Sequence, residues 1–318
     1  MKHLKENTNI EFIDLCPLCK SRKKEKVYKK VYDYIFKSSP EYWTYYKCGS
    51  CKSIYAGKRI KEKFIHSAYN SYYTHTTSSK RNNSLINNLK KLFENLHISK
   101  KFSNVLNKVF FYSYPFYRIL EFKKGSVLDV GCGAGELLLK LKKEGLETLG
   151  LEMDPKACET AIKSNLDVIN GSFMDLEKLN KKFDFVVSSH VIEHVYNPDY
   201  FFKTIFSKTK IGGKIFLSLP CTESILLKIF HSRWRGLEAP RHLIIPSSKW
   251  FINLKKTYNC EIKISYSPLC TIWGSLLSYN FIPITVAALI GKTLQIITKL
   301  KPLTYLTKDL IHVEITKK

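Results

Sequence analysis

The stretch "VLDVGCGAGELL", Val127 to Leu138, constrains this chain more than any other. An apolar run enters Gly131, Gly133 and Gly135, and an amphipathic segment, "GELLLKLKKEG", follows at once. The pattern predicts a strand, a tight turn and a helix, with backbone N–H groups aimed at whatever sits on the turn. A dinucleotide fingerprint would read G-x-G-x-x-G. Here the spacing is G-x-G-x-G, and Asp129 stands two residues ahead of the first glycine. An acid there repels a pyrophosphate and suits a ligand that carries positive charge.

Around this turn, from about Glu121 to Ser267, short apolar runs alternate with helical periodicity, which predicts an α/β fold built on a parallel sheet. Strands are expected at "SVLDVG", "ETLGLE", "LDVIN", "FDFVVSS" and "KIFLSL", then at "EIKISYS" and "IHVEITKK". Helices are expected at "DPKACETAIKSN", with Asp154 capping ahead of Pro155, and at "SSKWFINLKKTYN". Three units follow: a cysteine-bearing module over 1–60, a linker and helical segment over 61–120, and the α/β domain over 121–318. An apolar insertion interrupts that domain at about 267–308.

The glycine loop resembles the first motif of class I S-adenosylmethionine-dependent methyltransferases, and the likeness runs from about Glu121 to Pro220. It implies a Rossmann-like sheet with helices on both faces, and a loop of Asp129, Gly131, Cys132, Gly133 and Gly135 cradling the methionine part of the cofactor. Glu152, at the end of the next strand, takes the ribose hydroxyls in this family, with Met153 beside it. "NGSFMDLEKL" resembles the adenine-contacting segment. Phe173 and Met174 would pack on the ring, and Asp175 would either accept from the adenine amino group or cap a turn. "HSRWRGLEAPRHLIIPSSKW" resembles a bacterial subgroup, quinone- and sugar-methyltransferase-like, with an N-terminal zinc-ribbon-like module. That subgroup implies acceptors such as small molecules, nucleotide sugars or glycans, O-methylated for cell-surface polysaccharide.

Two C-x-x-C pairs, Cys16 with Cys19 and Cys48 with Cys51, are separated by 28 residues. The spacing suits a four-thiolate structural zinc site whose knuckles are joined by an extended hairpin, "KVYKKVYDYIF" with "YWTYYKC". A redox pair is the competitor, but no βαβ unit surrounds either motif. Four thiolates leave no open position, so such a metal would be structural.

"SSHVIEHVYNP" holds His190, Glu193 and His194 in the H-x-x-E-H order of some zinc proteases. Its place after the fourth strand argues otherwise, because His190 falls before a helix is established. In the methyltransferase fold that position faces the transferred methyl group, so His190 is the first candidate for a general base and a cofactor contact. His242 is the second. Arg241 and Arg235 are candidate clamps for an anionic acceptor. Glu193 and His194 are also a candidate divalent-cation step, as in some quinone-biosynthesis relatives.

Lys and Arg number 52 against 27 Asp and Glu, a net charge of +25. The lysines are scattered, so the excess selects no single partner. It admits RNA or protein as alternative acceptors, docked through the ribbon. The run from Ile264 to Gly291 has no charged residue. Polar residues and Pro283 dilute it, so a buried helical pair, or contact with a membrane surface or lipid-linked acceptor, is expected rather than a span. "MKHLKENTNIEF" lacks the apolar core of a secretory signal, and nine cysteines fit a reducing cytoplasm.

Overall fold

The structure, a computed structural model, describes residues 9–69, 119, 122, 124–279, 281–298 and 306–318. The helical segment expected around Leu85 to Leu120 lies almost wholly outside the described residues.

The N-terminal module opens with β1 (Ile10–Phe12), β2 (Lys24–Val31), β3 (Trp43–Cys48), β4 (Ile54–Ala56) and β5 (Lys58–Ile60). β2 and β3 pair antiparallel, so the aromatic hairpin expected between the cysteine pairs is present. Alternation turns Trp43 and Tyr45 inward, where Ile54 and Tyr55 join them in a buried core.

The α/β unit contributes β6 (Ser126–Val130), α1 (Glu136–Lys143), β7 (Glu147–Glu152), α2 (Pro155–Lys163), β8 (Val168–Asn170), β9 (Phe183–Ser189), α3 (Pro198–Ser207) and β10 (Thr209–Pro220). Next come α4 (Ile225–Phe230), β11 (Ile244–Ile245), α5 (Ser248–Asn253) and β12 (Cys260–Pro268). The last elements are α6 (Ile272–Leu277), α7 (Ile284–Thr298) and β13 (Lys308–Lys317). Seven strands form one sheet in the order β12-β13-β10-β9-β6-β7-β8. Pairing is parallel from β10 to β8, while β13 lies antiparallel between β10 and β12. All five residues of β6 are buried, as expected of a central strand covered on both faces. Leu128, Val186, Ile215 and Leu217 fill that core, each stabilising it by about 1.5–3 kcal/mol. The helix starts follow local chemistry: Asp154 accepts from Lys156 N–H ahead of Pro155, and Ser247 accepts from Trp250 N–H.

The strand order reverses between β9 and β6, and there the glycine turn after β6 opens at the carboxyl edge of the sheet. The apolar insertion is an excursion between β12 and β13 that carries α6 and α7. Among the described residues, no helix is long and apolar enough to cross a membrane.

One pairing departs from the three-unit division. β11 hydrogen-bonds β4, so a strand supplied from beyond β10 completes the module's sheet, in the order β11-β4-β3-β2. Further bonds fasten the seam. Tyr45 OH donates to His242 O at 2.7 Å, and Ser247 N–H donates to Ser53 Oγ at 3.0 Å. Two apolar residues, Ile244 and Ile245, gave no periodicity from which this strand could be read.

Candidate active site

The turn after β6 has Gly131 at φ 80°, Gly133 at φ 55° and Gly135 at φ 80°, all in the left-handed region. A Cβ on Gly131 would stand 2.3 Å from Val191 Cγ2, so packing as well as backbone angle demands glycine there. Gly133 is the opposite case. Nothing lies within 4 Å of its would-be Cβ, so the crest of the loop faces open space.

Asp129, on β6 beneath this crest, is 4% exposed, and among the described residues no group donates a hydrogen bond to its carboxylate. Burial, with a smaller push from Glu152, raises its pKa to about 7. A buried carboxylate held so awkwardly fits a cationic ligand and not a phosphate. Glu152 ends β7, where its Oε2 accepts from Gly133 N–H and its Oε1 from Asp154 N–H, each at 2.8 Å. The two acids thus flank the glycine crest from adjacent strands.

The remaining predicted cofactor contacts are spread along the same edge. Cys132 is half-buried in the turn, and Met153 is largely exposed just past β7. Phe173 packs edge-on against Phe201, with ring centroids 5.2 Å apart. Asp175 closes a capping box with Ser172 and pairs with Lys178. Its carboxylate thus makes the turn contact, one of the two roles expected for it.

His190 follows β9 at φ 55°, with its N–H bonded to Ser218 O at 2.8 Å. Of its side chain, 41% stays exposed. Its Nδ1 lies 3.0 Å from Glu193 Oε1, and Glu193 is fully buried. Desolvation opposes charge on the ring, but Glu193 outweighs it and the His190 pKa is raised. Burial also works against the Glu193 carboxylate, yet the imidazoles around it hold its pKa down. Because a carboxylate only accepts, the neutral form of His190 carries its proton on Nδ1 and leaves Nε2 as the site that gains one when the ring is charged. The sequence pattern offered Glu193 as a metal-site residue or, in the protease reading, a base, and not as a partner of His190. The i,i+3 spacing was the available signal for this pairing.

His242 is 4% exposed, and its Nδ1–H donates to Gly236 O at 2.8 Å. Burial, with help from His194, pushes its pKa well down. The two rings meet edge to face, with centroids 4.7 Å apart. His194 Nδ1 lies 3.1 Å from both Arg241 O and Tyr69 OH. Glu193, His194 and His242 offer three ligand atoms within 4.8 Å of one another, and Glu193 Oε2 is buried with no hydrogen-bond partner among the described residues.

The arginines correct an expectation. Arg241 is fully buried, 3.0 Å from Asp33 and 3.1 Å from Glu238, and it also donates to Ala68 O. Arg235 is paired with Glu238. Ion pairing inside a dry seam consumes the charge of both, so neither stands open as an acceptor clamp. Asp33 comes from the cysteine module and also accepts from Phe36 N–H and from Ser38 Oγ. Nothing in the sequence linked Asp33 to Arg241, 208 positions later.

In the module, Cys16, Cys19, Cys48 and Cys51 place their sulfurs within 4.8 Å of one another, with contacts of 3.6 Å for Cys16–Cys51 and 3.5 Å for Cys19–Cys48. Zn–S bonds of about 2.3 Å give tetrahedral sulfur–sulfur edges of about 3.8 Å, so the set fits zinc. Cys51, accepting from Cys16, has its pKa lowered to about 5, while the Cys16 thiol is pushed up.

A ubiquinone biosynthesis O-methyltransferase of Coxiella burnetii is 34% identical over 106 residues, covering 31% of this chain and 45% of that protein. One from Pelagibacter ubique is 29% identical over 153 residues, covering 42% of this chain and 64% of that protein. The chain thus spans less than two thirds of the length of these relatives. Among solved structures, a SAM-dependent methyltransferase from Archaeoglobus fulgidus is similar at 22% identity with a TM-score of 0.45, covering 72% of this chain and 99% of that one. A family model described as a methyltransferase domain matches residues 101–263, just over half of the chain, and the chain belongs to that family.

Proposed function

We propose that this protein transfers a methyl group from S-adenosylmethionine to a small-molecule acceptor, with oxygen as the methylated atom. The buried, unpartnered Asp129 carboxylate beneath the open Gly133 crest carries the reading. Asp129 and the loop N–H groups would hold the methionine end, Glu152 the ribose, and the Phe173 segment the adenine. The bound cofactor supplies an electrophilic methyl on a sulfonium. This chain's own part is to orient the acceptor and remove its proton. His190 Nε2 takes that proton, and Glu193 stabilises the imidazolium through Nδ1. His242, neutral and buried, shapes the acceptor wall.

The named activity of the relatives favours oxygen as the acceptor atom. The finer acceptor class we propose is a glycan or nucleotide sugar, including lipid-linked forms, used in the cytoplasm for cell-surface polysaccharide. An RNA or protein acceptor docked through the ribbon is the competing outcome. The module's seam with the catalytic segment favours the first, because it turns the ribbon's inner face to structural use. A second reading rests on the orphaned Glu193 Oε2. With His194 and His242 it would bind a divalent cation on the acceptor side.

Calorimetry with S-adenosylmethionine, wild type against Asp129→Ala, tests the core. Absence of binding by the wild type would sink the methyltransferase reading. Methyl transfer should then be assayed on nucleotide sugars, lipid-linked glycans and total RNA in parallel. Labelling confined to RNA would overturn the proposed acceptor class.

A further inference from the structure

The excursion between β12 and β13 has the composition of a buried element but the exposure of a surface one. α7 packs one side inward through Ala287, Gly291 and Thr298, with Gly291 against Trp273 of α6. Its other side is also apolar, yet Val286, Leu289 and Ile290 face outward and Leu289 is 69% exposed. Phe281, in the turn before α7, is 82% exposed, and Trp273 is 40% exposed. A helix that is apolar on both sides is stable in water only when something covers the second side.

Charge and length narrow what that something is. Between Glu261 and Asp309 the sequence holds five lysines and no acid. Arg233 adds a fixed cation at the patch, its guanidinium 4.9 Å above the Tyr279 ring, and Tyr279 in turn touches Phe281. An exposed apolar surface beside Arg233, in a stretch whose sequence carries lysines and no acid, complements an anionic lipid surface. α7 has 15 residues, about 22 Å of helix, which is short of the ~30 Å hydrocarbon core. It can lie in the interface but not cross it.

The register fixes which way the molecule would face. Pro268, ending β12, pairs with Lys308, and Leu310 pairs with Pro220 at the end of β10. The excursion therefore leaves and rejoins the sheet at the carboxyl edge of β10, the same edge that carries His190 and the glycine turn. We propose that α6, the Phe281 turn and α7 form an in-plane docking surface for an anionic membrane leaflet, holding the catalytic edge toward the lipid. This deepens the acceptor reading above, but its test needs neither cofactor nor acceptor.

The experiment is co-sedimentation of the full chain with phosphatidylcholine vesicles, with and without about one-third phosphatidylglycerol. Binding to the anionic vesicles, at least about tenfold weaker on phosphatidylcholine alone and weakened by high salt, is expected. The double variant Phe281→Asp with Leu289→Asp should lose about tenfold or more of that binding. Its melting temperature should stay within a few degrees of wild type, because both side chains are exposed. No binding to anionic vesicles, or equal binding by a folded double variant, overturns the proposal. So does light scattering that shows a dimer which the same substitutions dissociate, since a second copy would then be the occupant. Failure of S-adenosylmethionine to bind, with vesicle binding intact, would remove the enzymatic reading and leave this one standing.

Discussion

The two sides of the candidate active site are built on opposite principles. On the cofactor side, Asp129 is buried without a partner and Gly133 faces open space, so the site is left electrostatically incomplete. On the acceptor side, Arg241, Asp33, Glu238 and Arg235 are mutually paired, and His190 already has its carboxylate. One side holds a carboxylate whose charge is unfavourable until a cationic ligand or a proton relieves it. The other is pre-organised, and its charges hold geometry instead of contacting solvent. In the proposed reading, the first arrangement would serve the cofactor and the second the acceptor.

The largest expected effect breaks the acceptor side from a distance. Replacing Cys16 and Cys19 with Ser should abolish binding of about one zinc per chain, read by metal analysis of the purified protein. It should also loosen the β4–β11 seam, seen as lost amide protection at Ile244 and Ile245, while β6 remains protected.

The cofactor side is broken by Asp129→Asn, which should reduce S-adenosylmethionine affinity by about a hundredfold or more, as expected for losing a buried charge partner. The same substitution should stabilise the ligand-free protein. An acid whose folded pKa is about 7 costs stability as pH rises from its unfolded value, near 4, to 7. Below about pH 4 both states are protonated and the gain disappears. Melting curves at pH 4 and pH 8 check the sign, and equal stability at pH 8 would refute the stored-charge account.

Glu193→Gln sharpens the comparison. It should lower the methyl-transfer rate by about 10²–10⁴ with cofactor affinity unchanged. The raised pKa of His190 should fall, which an NMR titration of the ring reports without any acceptor. In the wild type the pair's stabilisation is full below about pH 6.5 and fades as pH rises through the raised value. The variant should lack that fade. The smallest effect is expected of Asp175→Asn, a slight loss of local stability from a weakened capping box and little change in cofactor affinity. A large affinity loss there would return Asp175 to the adenine site.

The same contrast governs what could be read from the sequence. The candidate cofactor edge comes from contiguous segments, so the turn from Asp129 to Gly135 was legible in its glycine spacing and Glu152 in its place at the end of the next strand, with their proposed roles taken from the family resemblance. The capping of α2 by Asp154 and the existence of the strand β13 were legible for the same local reason, whereas its antiparallel place between β10 and β12 was not. The acceptor side is assembled from β9's end, the segment from Arg235 to His242, and Asp33 of the module. No periodicity relates such distant positions, so Arg241 and Arg235 looked like open cations when each is the centre of an ion pair. The four cysteines were legible because metal chemistry imposes its own short spacing.

β11 also has a kinetic meaning. The module's first five strands lie before residue 61, but the strand that completes its larger sheet follows nearly 190 residues after β4. During synthesis the ribbon can gather its thiolates early, yet it must wait with an open edge until most of the catalytic sheet has emerged. An unpaired edge in a chain of +25 net charge is a hazard that early metal capture would limit by holding the hairpin in register. The module begun first is thus among the last to finish, and its closure reports that the catalytic segment beside it is in place.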